Sequence, residues 1–477
     1  MNEKTATPEV RRPIILAAVM ATSFMIAVET TIVATALPQI VGQLGNLELY
    51  SWVFAAFLLA QTATTMVFGK LADVFGRRTI LLIGIAVFLA GSILCGFARS
   101  LPWLIGFRLL QGLGAGALLP VNLTVVGDLY PMRERGRIQG WLASVWGVAS
   151  VLGPLAGGLI VQHADWAWIF WINVPVGVAA AVMFGIFLKE PPSKKRPPLD
   201  GIGAALIVVA VSALMVLTTT FSLALVALLV VSSALLVIQE RRAADPLIPS
   251  AIWSRRAIAT TNGAVCFLGM ALMGITTFLP MYVQVVMGWS PLIAGFTLTA
   301  SVLGWPIGST VAARNFQRWG LRNVMVAGGA MIPAGAAAFV LLTPNSSPLI
   351  AGFGSLVMGL GMGFLSTSGI VLVQEEVGRE ERGAATASNV FARNLGSTLG
   401  ATALGALLNL RLGKAGGASL DQIERSLAMS GGPGASAGRI ALEGGLHMVF
   451  WAILAMSVGA LIVALMIPRT SSPGRAG

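Results

Sequence analysis

The chain is 477 residues long, 56% hydrophobic and only 10% charged, with a mean hydropathy of +0.84. Soluble domains carry about 25% charged residues, so this chain lacks the surface of a water-soluble enzyme, a secreted disulfide scaffold or a disordered tail protein. The net charge of +12 does not point to nucleic acid, because the basic residues sit in small groups between apolar runs, as in cytoplasmic loops.

A bilayer core about 30 Å thick takes roughly 20 apolar helical residues. In chain order the apolar runs predict spans over 14–37, 50–68, 79–98, 103–129, 137–161 and 167–188. A close pair follows at 202–219 and 222–239, then six more at 258–285, 292–313, 323–342, 348–373, 385–411 and 446–467. The first run is too long for a secretory h-region and carries Glu29, so it is expected to be an uncleaved helix. The fold class expected is an all-α integral membrane protein with fourteen transmembrane helices. A proline-rich basic linker, KEPPSKKRPPLD, follows the sixth run. It divides the chain into a six-helix bundle over 1–190, a linker and inserted two-helix hairpin over 191–256, and a second six-helix bundle over 257–477. The glycine-rich stretch 411–445, with a short helical signal near 420–428, is assigned to the outer face.

Orientation follows from the lysines and arginines. Of the 31, 24 fall in the segments expected inside, and the short outside loops hold one, Arg99. That asymmetry predicts a multi-pass protein of a cytoplasmic (inner) membrane with both termini in the cytoplasm. Cys95 and Cys266 lie inside apolar runs and read as packing thiols. His163 and His447 fall near outer helix ends and read as interfacial. Trp52, Trp103, Trp166, Trp168, Trp289 and Trp451 sit where an interface belt is expected, whereas Trp141, Trp146 and Trp305 lie deeper.

Several motifs recur in order. The loop after the second run reads GKLADVFGRR, Gly69 to Arg78; Gly69 and Gly76 allow close helix contact and a tight turn, and Asp73 can pair with an arginine or cap a helix. The fourth run carries Arg108-Leu109-Leu110-Gln111-Gly112-Leu113-Gly114-Ala115-Gly116, and the fifth carries Gly153-Pro154-Leu155-Ala156-Gly157-Gly158. The first carries Glu29 to Pro38, ETTIVATALP. Together these resemble the major facilitator superfamily, and within it the fourteen-helix drug:proton antiporter branch of quaternary-ammonium and multidrug exporters. Against that branch, Glu29 stands where aspartate is usual, Ala34 where asparagine is usual, Ala149 for a glycine and Ala167 for an arginine. The Gly112–Gly116 run lies mid-helix, so it reads as a packing seam and not as a nucleotide loop.

Ionisable residues inside a bilayer are costly, about 2.5–3.5 kcal/mol each on insertion scales. Glu29, Arg108 and Arg393 are three such residues. Helix rise brings Glu29, Arg108 and Gln111 to similar depth, roughly 8–12 Å from the outer end. A carboxylate there is a candidate proton carrier, with Arg108 tuning it. The resemblance implies a central cavity, with Glu29, Gln111, Trp146, Gln284, Trp305 and Asn394 as candidate lining. It also implies a gating loop of Gly69, Asp73, Gly76, Arg77, Arg78 and Asp128, and an antiporter motif of Gly153, Pro154, Gly157 and Gly158.

The function expected is proton-coupled efflux of lipophilic, monovalent cationic compounds by alternating access, a drug-resistance activity and not an enzyme. A different cargo, an amphiphilic lipid or metabolite, is the nearest alternative; a non-transporting membrane sensor is another. The expected partners are small lipophilic substrates, protons and membrane lipids, with no nucleic acid, and a monomer is the expected state. No cofactor and no metal site is expected.

Overall fold

In hydrocarbon a backbone has no hydrogen-bond partner but itself, so each apolar run closes its own bonds as a helix. The computed structural model describes residues 12–44, 49, 52–190, 200–219, 222–243, 250–414 and 433–468. Among these residues every element is helical and none is a strand. The elements are α1 (Arg12–Leu44), α2 (Trp52–Phe75), α3 (Arg77–Gly96), α4 (Leu101–Leu129) and α5 (Met132–His163). A single turn, α6 (Trp168–Trp171), leads into α7 (Asn173–Phe187), then α8 (Gly201–Thr219), α9 (Leu223–Arg242) and the short α10 (Ser250–Trp253). Beyond it lie α11 (Arg256–Met281), α12 (Pro291–Val340), α13 (Pro348–Glu375), α14 (Arg382–Lys414) and α15 (Pro433–Leu465). Eleven spans among the described residues are long and apolar enough to cross a membrane, and Gly201–Leu217 is a shorter apolar helix. The core of the 189–200 linker and the 420–428 signal lie outside the described residues.

The chain forms two compact units. The first takes Met1–Arg255 together with Val373–Phe391; the second takes Arg256–Leu372 and Ala392–Gly477. In the first, α2 and α3 pack on α4, α1 packs on α5 and α7, and the α8–α9 pair packs on α2. Lipid removes the hydrophobic drive between helices, so close backbone approach by small residues takes its place. On α4, Gly112 abuts the Phe57 carbonyl of α2, and Gly114 abuts the Phe88 backbone of α3. One glycine run therefore seats two neighbours. Ile207 and Val211 of α8 pack with Ala63 and Phe391, and Asp200 accepts from Gln239 Nε2 over 2.8 Å, tying the open ends of the pair.

In the second unit α11 packs on α12 and α15, and α15 on α12. Gly320 interrupts α12 with φ +75°, a conformation glycine adopts without the Cβ penalty. Pro280, which offers no backbone N–H, precedes a π-helical turn over Tyr282–Val286. Arg439 Nε donates to the Val286 carbonyl over 2.9 Å, and Tyr282 donates to the Leu342 carbonyl over 3.1 Å. The helix α15 begins at Pro433, well ahead of the predicted 446, and Arg439 ties it to the π-helical turn.

Trp166 departs from the interface belt. It is 5% exposed, and its indole N–H donates to Gln43 over 2.9 Å. Trp141 and Trp146 are 40% and 39% exposed, and the Arg137 guanidinium lies over the Trp141 ring at 4.8 Å.

Candidate functional site

The first unit buries one ion pair completely. Arg108 of α4 donates through Nη1 to Glu29 of α1, and both side chains are 0% exposed. The same Nη1 reaches Gln111 Oε1 at 2.7 Å, one turn along α4, and Nε donates to the Val53 carbonyl at 3.0 Å. The guanidinium lies 4.4 Å from the Phe57 ring centroid, which places the negative π-face of the ring where a further acceptor would stand. The other carboxylate oxygen, Glu29 Oε2, accepts from Asn173 Nδ2 at 2.6 Å. Ser92 of α3 closes the network: its hydroxyl accepts from Gln111 at 3.1 Å and from Asn173 at 3.0 Å, and donates to the Phe170 carbonyl at 2.8 Å. Such a pair balances its desolvation only with good geometry and further hydrogen bonds. Here the network supplies acceptors for Arg108 Nε and Nη1 and a second donor for Glu29, while Nη2 is buried without a hydrogen bond. Removing either partner would strand a buried charge, at a cost of about 3–5 kcal/mol.

A second cluster gathers where α2 and α4 end and α14 begins. Gly76 turns α2 into α3 with φ +90°. The Asp73 carboxylate accepts from Arg77 Nη2 at 2.8 Å and from the backbone N–H groups of Gly383 and Ala384 at 2.9 and 2.7 Å. It therefore caps the N-terminus of α14, where free N–H groups and the helix dipole favour an anion. Arg77 Nε stands 3.2 Å from Asp128, and its Nη2 donates to the Arg379 carbonyl at 2.7 Å. Arg382 donates to Asp128 at 2.7 Å. Beside them Arg135 meets Glu375 at 2.5 Å; burial lowers Arg135 from its ordinary value, and Glu375 opposes that shift. Arg78 lies apart from this group. Its side chain is directed to the Gly185 carbonyl and its N–H to Glu190. Gly69 lies against Ala387 and the Gly383 carbonyl, so a side chain there would push α14 off α2.

The remaining candidates are dispersed. Gly153 faces Thr31 of α1 without room for a Cβ, and Thr31 donates to the Ala149 carbonyl at 3.2 Å, so α5 rides closely on α1. Gly157 is buried and Gly158 open; the side chains of Pro154 and Ala34 lie outside the described residues. Gln111 is wholly enclosed in the buried network. Gln284, within the π-helical turn, and Trp305 and Asn394 are partly buried in the second unit.

The family model of the Major Facilitator Superfamily matches residues 19–401. The chain belongs to that superfamily. It is 32% identical over 413 residues to the multidrug transporter protein MdtP of Bacillus subtilis (strain 168), covering 84% of this chain and 76% of the relative. It is likewise 32% identical over 391 residues to multidrug resistance protein 3 of the same organism, with 80% and 76% covered. Efflux pump FUS6 of Gibberella fujikuroi is 31% identical over 444 residues, with 88% and 79% covered. Among solved structures, that of the human organic anion transporter MFSD10 (TETRAN) superposes with a TM-score of 0.67 at 16% identity, covering 96% of this chain and 99% of that one. That likeness bears on the fold alone.

As a facilitator-superfamily transporter, the protein is a multi-pass integral membrane protein whose relatives are named for moving small molecules. Two members of its buried network were absent from the sequence reading: Asn173 and Ser92. Asn173 stands in the apolar stretch WINVP. An amide inside a membrane run is a legible signal, weaker than a charge because an amide costs less to bury.

Proposed function

We propose that the protein is a proton-coupled exporter of lipophilic, monovalent cationic compounds, working by alternating access in a cytoplasmic membrane with both termini inside. The observation that carries this is the Glu29–Arg108 pair, 0% exposed and held by Asn173 and Gln111. Glu29 is a carboxylate whose one strong partner is a permanently charged guanidinium, so gaining or losing a proton rewires the network around it. In the cycle Glu29 takes a proton from outside as cargo leaves, Arg108 relaxes toward Gln111 and Phe57, and the proton is lost inward as the next cation arrives. In the same cycle the Asp73 and Asp128 contacts with the start of α14 form and break.

Fourteen spans suit this reading: Gly320 divides α12 in two, α6 and α7 form one crossing, and α8–α9 form the inserted hairpin between the halves. The relatives named for multidrug transport support the cargo class. The deciding experiment uses everted membrane vesicles with a preformed pH gradient, to which tetraphenylphosphonium is added. An exporter of this kind dissipates the gradient on addition of the cation, and a non-transporting sensor leaves it intact.

A further inference from the structure

The second unit is short of acid. Between Arg256 and Leu372, and again over 392–414, the sequence contains no aspartate or glutamate. Among the described residues of that unit the one carboxylate side chain is Glu443, near the start of α15. Into this surrounding α14 brings Arg393, eleven residues on from Arg382, or about 16 Å along the helix at 1.5 Å per residue. Arg393 is partly buried and forms no hydrogen bond or ion pair with the described residues. Arg108, in the first unit, is buried with a carboxylate, an amide and a carbonyl around it. Arg393 has none of these. A guanidinium stays protonated in proteins, so it has no route to neutrality of its own, and an unpaired charge at membrane depth is a functional-site signal.

The backbone beneath it is firmly seated. Gly269 of α11 lies under the Arg393 carbonyl, and Gly396 lies against the Cys266 carbonyl, each without room for a Cβ. Ser397 adds a hydrogen bond to the Gly269 carbonyl at 3.3 Å. The backbone that carries Arg393 is therefore fixed by close helix contact, and its guanidinium is left with donors that no described residue takes up.

We propose that Arg393 is an anion-recognition residue that binds the carboxylate of a lipophilic monoanionic compound. Its planar fork of donors matches a carboxylate bidentately, a geometry that a lysine ammonium does not reproduce. The inference rests on the reading of the chain as a small-molecule transporter and adds a second class of cargo to the cations assigned to Glu29.

The test is direct binding to the full-length, detergent-solubilised protein, followed by tryptophan fluorescence, of 1-naphthylacetate and its neutral methyl ester. The expected result is that the acid binds about tenfold or more tighter than the ester, the range of a charge-assisted hydrogen bond. Arg393→Gln should bring the ratio near one with ester affinity unchanged, and Arg393→Lys should retain part of it. Should Arg393→Gln lose ester binding through misfolding, the lysine variant decides by its intermediate ratio. Equal binding of acid and ester by the wild type, an unchanged ratio in Arg393→Gln or in a folded Arg393→Lys, or displacement of the acid by equimolar chloride would overturn the proposal. Failure of both probes to bind would overturn the small-molecule reading along with it, an outcome distinct from equal binding.

Discussion

Asn173 donates to Glu29 across 2.6 Å, joining the start of α7 to the middle of α1 and giving the buried carboxylate a second partner opposite Arg108. The bond holds Glu29 between one charged and one neutral donor, so the carboxylate need not follow Arg108 when the pair separates. Replacing Asn173 with valine leaves Glu29 Oε2 without a donor, a loss of about 1–3 kcal/mol. Cation-driven proton release should fall by roughly tenfold or more with membrane expression near wild type. Wild-type release in Asn173→Val vesicles would show that the amide only fills space.

Glutamine at position 29 keeps the shape and removes the ionisation. Glu29→Gln should abolish efflux driven by an imposed pH gradient while a neutral ligand still binds. The measurement is dye efflux from vesicles with the gradient imposed and then collapsed. If efflux still follows the gradient, the proton is carried elsewhere.

Asp73 offers two carboxylate oxygens to the N-terminus of α14, and Arg77 bridges it to Asp128. In Asp73→Asn one oxygen becomes an NH2 group facing the backbone N–H groups of Gly383 or Ala384 or the Arg77 guanidinium. The cap weakens by about 1–2 kcal/mol. Transport turnover should drop without loss of folded protein, and Asp128→Asn should act in the same direction. A double-mutant cycle of Arg77→Gln with Asp128→Asn should show coupling of about 0.5 kcal/mol or more in turnover. Strict additivity would separate the two residues, and unchanged turnover in Asp73→Asn would reduce this loop to a topological signal.

Charge selectivity follows from the supply of carboxylates. The N-terminal spans hold one deep carboxylate, Glu29, and the C-terminal spans between 258 and 467 hold none away from their ends. One carboxylate neutralises a monovalent cation; a second positive charge left unpaired would cost several kcal/mol. Monoquaternary compounds should be exported at least a hundredfold better than rigid bisquaternary ones of similar size. With one proton per monocation the exchange would be electroneutral, so it should respond to the pH gradient and hardly to membrane potential. Both are measured by efflux with gradient and potential clamped separately. Equal export of the two classes would place a second acidic group at the cargo.

The sequence alone determined the helices, since continuous apolar runs near 20 residues match a spanning helix and exceed a spanning strand, and a helix bonds its backbone within the run. It also singled out Glu29, Arg108 and Gln111, because charges and amides stand out in apolar runs and helix rise converts their positions into depth. Rotation about a helix axis and the choice of neighbour belong to the tertiary structure. Arg77 turns to Asp128 while its neighbour Arg78 reaches Gly185, because consecutive residues of α3 point about 100° apart and meet the ends of different helices, α4 and α7. That Asp73 caps a helix beginning at residue 382, that Ser92 and Asn173 close the network around Glu29, and that Trp166 is buried all depend on contacts between distant segments. A periodic pattern records which face of a helix is apolar. It does not record which polar group from another helix arrives beside it, because that is decided by packing of small residues at helix crossings.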